Sequence, residues 1–449
     1  MRPRPTWVLL LLALPMEAGY LAMNRLGNLA WFVVEFIAIS LAVSLFYIVS
    51  CWWITEKGLA DSGKSKWPMA CILLAGLAFR FTLAPLYPSL TEDPHRYRWD
   101  ARLQQAGGNP YQERPADPRW LGLRDRTWDH VNGKDLPTVY GPLLEWSYRA
   151  AYAAASRLTA DEFRQVWLFK IPYLLFELGT AAMVGLLLAR LGLPKQWLLV
   201  YFWSPLVIVE FWGSGHNDSV TLFFVAAAVW AASGRRWAWA MGALWMATLA
   251  KFWPALLFPV FLLAGGRAGF GRRIGWALAW APLAILVCWP YRSGTAELQQ
   301  MLEGFLGGWR NNASLYNLIY AYASADFERG KPLVTRLLFA AVAIILIAGR
   351  KQPLYRTTLW IILALLFLSA NCFPWYLTWL VPLLAAGPNA ALLLWTALAP
   401  LAYHNLASYQ ALGRWQDDSF FLWLEYVPVY GMLLAGLWLK GRFKRRAPS

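Results

Sequence analysis

Apolar residues do not alternate with polar ones along this chain; they run in solid blocks. "WVLLLLALPMEAGYLA", "FVVEFIAISLAVSLFYIVSCWWI" and "WPMACILLAGLAFRFTLAPLYPSL" are the first three. A run of about 20 apolar residues is the length a helix needs to cross a bilayer. Candidate spans fall at roughly 6–23, 29–54, 68–88, 166–189, 196–212, 218–233, 237–250, 252–265, 274–291, 333–349, 356–372, 374–387, 389–403 and 420–438. A membrane β-barrel would show alternating ten-residue segments instead. The pattern therefore predicts an all-α polytopic membrane protein with about 12–14 crossings.

Composition agrees: 59% of the 449 residues are hydrophobic. The net charge of +16 first suggests a nucleic-acid partner, but its position along the chain removes that reading. The excess sits in short loops, at Lys64 and Lys66, Arg235 and Arg236, Arg267 with Arg272 and Arg273, and Arg350 with Lys351. The tail adds Lys440, Arg442, Lys444, Arg445 and Arg446. Such loops anchor the cytoplasmic side. Both termini are then cytoplasmic, and three segments lie outside, at about 89–165, 292–332 and 404–419. Long loops of this kind carry function when they are not disordered, and 89–165 is too rich in Trp, Tyr, Leu and Pro for disorder. Cys51, Cys71, Cys288 and Cys372 have no metal-type spacing. The basic and apolar start reads as a retained first helix, because no small-x-small cleavage site follows it.

The polar groups concentrate in "TEDPHRYRWDARLQQAGGNPY", residues 91–111. Asp93 before Pro94 predicts a capped helix that runs to Ala106 and stops at Gly107-Gly108. Asp93, Tyr97, Asp100 and Gln104 share one stripe, and Arg96 can pair with Asp100. Capping alone accounts for Glu92 and Asp93. The remaining loop, "GGNPYQERPADPRWLGLRDRTWDHVNGKDLPTVYGPLLEW", adds rings beside carboxylates and arginines. That mixture suits sugars: rings stack on C–H faces, and charged groups bond hydroxyls in pairs.

These residues resemble the first external loop of the GT-C superfamily of membrane glycosyltransferases. They are most similar to bacterial and mycobacterial mannosyltransferase-like members that use polyprenyl-phosphate sugars. Thr91-Glu92-Asp93 matches the family's acidic pair, and Arg96-Tyr97-Arg98-Trp99-Asp100 its helix, with Ala101 where glycine is usual. Gly108-Asn109-Pro110-Tyr111 matches its turn. Pro137-Thr138-Val139-Tyr140-Gly141-Pro142 matches a further motif, with Gly141 replacing a proline. Gly215-His216-Asn217-Asp218, Lys251 with Pro254, and Pro374-Trp375-Tyr376 resemble three later segments; Phe373 stands where a polar residue is common. The set spans about 90–387 and is specific for the superfamily rather than for one sugar.

The resemblance implies a GT-C-like helical bundle with structured extracytoplasmic loops in the inner or plasma membrane. It implies an inverting transfer of a hexose, by family weight mannose, from a polyprenyl-phosphate donor to a glycan, lipid or protein hydroxyl. Glu92 or Asp93 would be the general base, with Asp93 preferred because it is nearest the helix start. Lys251, His216, Arg96 and Arg310 are the implied donor-phosphate ligands. Tyr97, Trp99, Asp100, Asn109, Tyr111, Tyr140, Asn217, Asp218, Trp375 and Tyr376 are the implied substrate contacts. No cofactor is implied, and no D-x-D pair or His cluster indicates a metal.

Blander readings stand beside these. Lys251 can snorkel, His216-Asn217-Asp218 can cap a helix, and Trp375 and Tyr376 can be membrane-belt aromatics. Lys170 and Glu177 are spaced to pair on one helix face, while Glu17, Glu35 and Glu210 have no explanation in the sequence. The rival functions are a lipid-sugar flippase and a non-catalytic membrane subunit. A flippase would place its ionisable residues mid-span on broken helices, often with internal repeats. No internal repeat is visible, and the charges here gather in one loop. A subunit would have no reason to group carboxylates, arginines, histidine and aromatics.

Overall fold

Apolar blocks without internal proline become long helices; blocks with closely spaced prolines break. The computed structural model describes residues 5–56, 66–266, 268–300, 310–323, 327–413, 415 and 417–446. Lys64 and Arg267, and parts of the 292–332 and 404–419 segments, lie outside the described residues. The principal helices are α1 (Pro5–Leu26), α2 (Val33–Glu56), α3 (Trp67–Leu83), α4 (Asp93–Gln105), α5 (Pro142–Leu158), α6 (Lys170–Arg190) and α7 (Asp218–Ser233). They continue as α8 (Trp237–Ala250), α9 (Phe270–Cys288), α10 (Phe327–Ala348), α11 (Leu354–Leu368), α12 (Ala390–Leu398) and α13 (Ser419–Arg446). Among the described residues the only β pairing is an isolated parallel bridge, Asn311 with Asn371. The chain is thus an all-α polytopic membrane protein.

Among the described residues seven helical stretches are long and apolar enough to cross a membrane, rather than 12 to 14 continuous ones. Shorter apolar helices account for Trp67–Leu83, Asp218–Ser233, Trp253–Leu263 and Leu354–Leu368. The blocks expected at 196–212, 252–265 and 374–387 are broken. Pro205, Pro254 with Pro259, and Pro374 with Pro382 interrupt them with short turns. Proline removes an amide donor and clashes with the turn before it. Broken backbone at membrane depth is tolerated where protein covers it, and the 196–212 and 374–387 segments are largely buried. The outer faces tell the complementary story: Leu14, Val34, Leu45, Leu278, Ile344 and Leu434 are exposed. Only a lipid surface solvates so many large apolar side chains.

α7 lies between α6 and α8, and α1 packs on α2 and α3. Without water to expel, membrane helices associate through close packing, which small residues permit. Gly76 of α3 fits against Phe202 and Gly242 of α8 against Trp280, where an added Cβ would stand 2.4 and 2.5 Å from ring carbons.

One buried ion pair fastens α3 to α6. Arg80 donates from Nε to Glu177 Oε2 at 3.0 Å and from Nη2 to Oε1 at 2.6 Å. Its Nη1 donates to the carbonyls of Gly76 and Phe202, and Trp212 Nε1 donates to Glu177 at 2.9 Å. The expected Lys170–Glu177 pair does not form. Glu177 is taken by the fork of Arg80, which matches a carboxylate in two places where an ammonium matches it in one. Lys170 Nζ instead donates to the carbonyls of Ala84 and Leu86, closing the end of α3.

Removing one partner of such a pair leaves an uncompensated buried charge, at a cost of about 3–5 kcal/mol. Glu177→Ala should therefore lower the thermal unfolding midpoint of the detergent-solubilised protein sharply. Arg80→Met with Glu177→Leu should recover most of the loss. A double variant no better than Glu177→Ala would show that the pair itself is not the fastening.

Candidate active site

α4 begins where the chain leaves α3 and turns along the bundle. Its start is not capped as expected. Thr91 Oγ1 accepts the Asp93 amide at 3.2 Å, and Glu92 occupies the N-cap position without a side-chain bond. The Asp93 carboxylate is thereby released from capping. Its Oδ1 accepts from Asn132 Nδ2 at 2.7 Å and its Oδ2 from Tyr97 OH at 3.3 Å. His216 Nδ1 lies 3.7 Å from Oδ2. Glu92 is exposed, whereas Asp93 is partly buried. Burial pushes the Asp93 carboxyl up. His216 when protonated, the Lys251 ammonium and the Asn132 bond outweigh it, holding the group below the usual carboxylate range.

The opposite wall is the start of α7. Gly215 turns with φ +73°, and an added Cβ would stand 2.6 Å from Lys170 Cγ, so only glycine fits. His216 follows and stacks on Trp375 at 4.1 Å; Trp375 stacks on Phe373 at 4.5 Å. Phe373, where a polar residue is common, thus extends a column of rings. The capping expectation for His216-Asn217-Asp218 is not met, since the α7 N-cap Asn217 makes no side-chain cap bond. Asn217 Nδ2 donates to Tyr148 OH at 2.5 Å, and its buried Oδ1 has no partner among the described residues. Asp218 accepts from Lys251 Nζ and from Trp379 Nε1, both at 2.7 Å. Tyr376 stacks on Trp379 at 4.6 Å, and Lys251 Nζ stands 5.7 Å from the Tyr376 ring centre. Lys251 is therefore paired rather than snorkelling.

The external loop touches this wall through Gly141. Its amide donates to the Ala250 carbonyl at 3.0 Å, one residue before Lys251. An added Cβ would stand 2.1 Å from the Leu249 carbonyl oxygen. The proline usual in the motif has no N–H to give, so the departure at this position is explained by the contact it makes.

The other expected residues separate into groups. Arg96 pairs with Asp100 at 2.9 Å as expected, and also donates to the carbonyls of Gly133 and Leu136. Its donors therefore hold the loop that presents Asn132, rather than facing a ligand. Trp99 packs with Leu103, Trp120 and Val131 in a small loop core. Tyr97 is fully buried and stacks on Tyr148 at 4.7 Å. Tyr111 is buried and donates to the Tyr140 carbonyl, while Tyr140 meets Tyr97 edge-on. Arg310 is exposed, lies 4.7 Å from the Tyr320 ring centre, and precedes the Asn311–Asn371 bridge. Asn109 lines a polar cleft of about 390 Å3 with Gln104, Gln112, Glu113, Arg149 and Ser293.

Asn132, Glu145, Glu210 and Trp379 escaped the sequence reading. Glu145 is buried, accepts from Thr138 at 2.7 Å and Gln104 at 2.8 Å, and is pushed well up by burial and by Asp100. Glu210 carried the one readable signal, a carboxylate inside an apolar block. Among the described residues no group of three or more His, Cys, Asp or Glu could hold a metal ion.

Residues 8–266, more than half of the chain, match the family model described as alpha-(1->6)-mannopyranosyltransferase, N-terminal domain. The chain belongs to this family. It is a membrane mannosyltransferase of GT-C type. No curated protein and no solved structure matches it. The matched span holds Asp93, His216, Asp218 and Lys251, and stops short of Trp375 and Tyr376.

A misplacement of about 1 Å at a catalytic group costs on the order of 10²-fold in rate. Gly141→Ala should cut mannosyl transfer by at least about tenfold and speed protease nicking within 89–165. Unchanged turnover and unchanged nicking would mean that the Ala250 contact does not position the loop.

Proposed function

We propose that this mannosyltransferase moves mannose from a polyprenyl-phosphate donor to an acceptor hydroxyl on the extracytoplasmic face, with inversion, and that Asp93 is the base. The observation that carries the reading is the Asp93 carboxylate itself. It is held below the usual carboxylate range, spared from capping, oriented by Asn132 and Tyr97, and faced by His216. In one displacement the acceptor oxygen bonds to the anomeric carbon as the bond to the lipid phosphate breaks. The hydroxyl proton passes to Asp93, and the leaving phosphate carries away the electron pair. Lys251 is a cation whose charge is felt at Asp93. The phosphate would share it with Asp218, so charge built up on leaving is met without a free buried ammonium beforehand. Burial pushes the Glu92 carboxyl up, so Asp93 is preferred for its fixed position and not for its basicity: Glu92 is more exposed and its side chain makes no cap bond.

The polar cleft supports a glycan as acceptor. Gln104 and Asp93 lie on one helix, so the cleft stands about 16 Å along α4 from the base. Its lining of amides, a carboxylate and an arginine suits hydroxyls and offers little to a prenyl chain. Ionisable groups do stand at broken helices, as a flippase would have them, but Glu210, Asp218 and Lys251 are tied into fixed contacts there, and the family match favours transfer.

Purified protein supplied with a panel of polyprenyl-phosphate sugars should yield product with the mannose donor. Asp93→Asn should lower turnover by about 10²–10⁴-fold, and Glu92→Gln by much less. Full turnover in both variants would remove the base assignment. Loss of product from every donor in the wild type would remove the donor class. The acid limb supplies a further check. A base held low stays ionised into acid, and activity falls only as the pH drops through its lowered value. Asn132→Ala removes one bond that holds the carboxylate low, so its acid limb should move to higher pH. An unmoved limb would show that Asn132 does not set the base.

A further inference from the structure

Glu210 is a carboxylate buried in an apolar block, and nothing in the reaction as derived uses it. It lies in a π-helical turn, Val209–Gly213, a widening of the helix that recurs at functional sites. The turn is followed by the reversal at Gly215, and the His216 amide donates back to the Glu210 carbonyl at 3.1 Å. This geometry returns the imidazole over the side chain of Glu210: His216 Nε2 lies 3.3 Å from Glu210 Oε2. Tyr403 OH donates to both oxygens of Glu210, at 2.9 and 3.0 Å, fixing the carboxylate from the other side. The other ring nitrogen of His216 faces Asp93.

We propose that Glu210 is a positioning residue that selects the tautomer of His216 and makes it the second station for the proton collected by Asp93. The inference rests on Asp93 as base. Glu210 accepts the Nε2–H, so the lone pair of Nδ1 points at Asp93. The acceptor proton passes first to Asp93 Oδ2. It then passes to His216 Nδ1, leaving an imidazolium between two carboxylates and Asp93 ionised again. The proton is returned to water once the product has left, so each turnover releases one proton and the chain ends as it began.

Every group around His216 fits this use. Asp93 of α4 and Glu210 of its own segment are the two carboxylates, and Tyr403 supports the second. Trp375 covers one face of the ring at 4.1 Å. Lys251 is paired with Asp218, and Lys170 presents only its stem to Gly215 while its ammonium bonds the end of α3. Both ring nitrogens are fully buried and neither makes a well-formed hydrogen bond. Contacts of catalytic groups are commonly long without substrate and tighten in the reacting complex. A histidine between two carboxylates is also poorly suited to a donor phosphate, since both neighbours repel the anion. The relay thus replaces the phosphate-binding role expected of His216.

Two measurements test the assignment. Nitrogen-15 resonances of the four histidines, with His216→Asn identifying the signal, report the tautomer without turnover. In the wild type His216 should carry its proton on Nε2, and in Glu210→Gln the tautomers should mix. A proton on Nδ1 alone, or a pattern that Glu210→Gln leaves unchanged, overturns the proposal. In the transfer assay Glu210→Gln should lower kcat by about 10–100-fold with KM for the donor unchanged, and Glu210→Asp should restore part of it. A rise in KM at constant kcat would mean that Glu210 only packs. Where Glu210→Gln fails to accumulate, Tyr403→Phe keeps the carboxylate but frees it, and should show the same split to a smaller degree; no change in kcat there overturns the proposal. A wild type without turnover defeats the base and donor reading, whereas the resonance experiment still decides the tautomer.

Discussion

Charge inside an apolar bundle has to be matched on the spot, and that constraint shapes this molecule. An unpaired ion in such surroundings is ruinous, while a well-matched one is tolerable. Arg80 therefore spends its whole guanidinium on Glu177 and two carbonyls. Lys251 finds Asp218, Lys170 finds two carbonyls of the preceding connection, and Glu210 finds Tyr403 and His216. The matching groups come from segments whose regular helix has been interrupted. Proline and glycine open the ladder at 205, 215, 254 and 374, and polar side chains gather at the same places. The residues around Asp93, His216, Asp218 and Lys251 are one such gathering, where the bundle meets the polar loop.

Much of this was legible in the residues. Apolar block length gave the class, and the ordered motifs gave the family. The motifs also drew together Asp93, His216, Asp218, Lys251, Trp375 and Tyr376, which surround one region of the structure. What the sequence could not show was partner choice. Spacing put Lys170 and Glu177 on one face, yet the fork of Arg80, almost a hundred positions away, outcompeted the lysine. Asp93 looked like a cap because Asp before Pro usually is one; Thr91 took that duty at a distance of two residues. Asn132 belongs to no periodic pattern and reaches Asp93 only through the fold of the 89–165 loop. Continuous spans were overcounted because a proline in an apolar run does not announce whether it kinks a helix or ends it.

The aromatic residues divide in the same manner. Some build: Trp99, Tyr97 and Tyr111 form the interior of the loop and give it a shape of its own. Others face the reaction region: Phe373, Trp375 and His216 form one column of rings, and Tyr376, Trp379 and Trp253 a second. Flat, stiff side chains hold position at little entropic cost; Asp93 faces the imidazole that ends one column, and the Lys251 ammonium lies near Tyr376 of the other.

The bond from the Gly141 amide to the last turn of α8 has a consequence for engineering. Half of that contact belongs to the loop with the acid pair, and the other half to the helix that ends at the lysine. A chimera that transplants residues 89–165 from a relative with proline at position 141 would import the chemistry without its anchor. Exchanging this loop between relatives thus requires the loop and the α8 terminus to travel as one cassette.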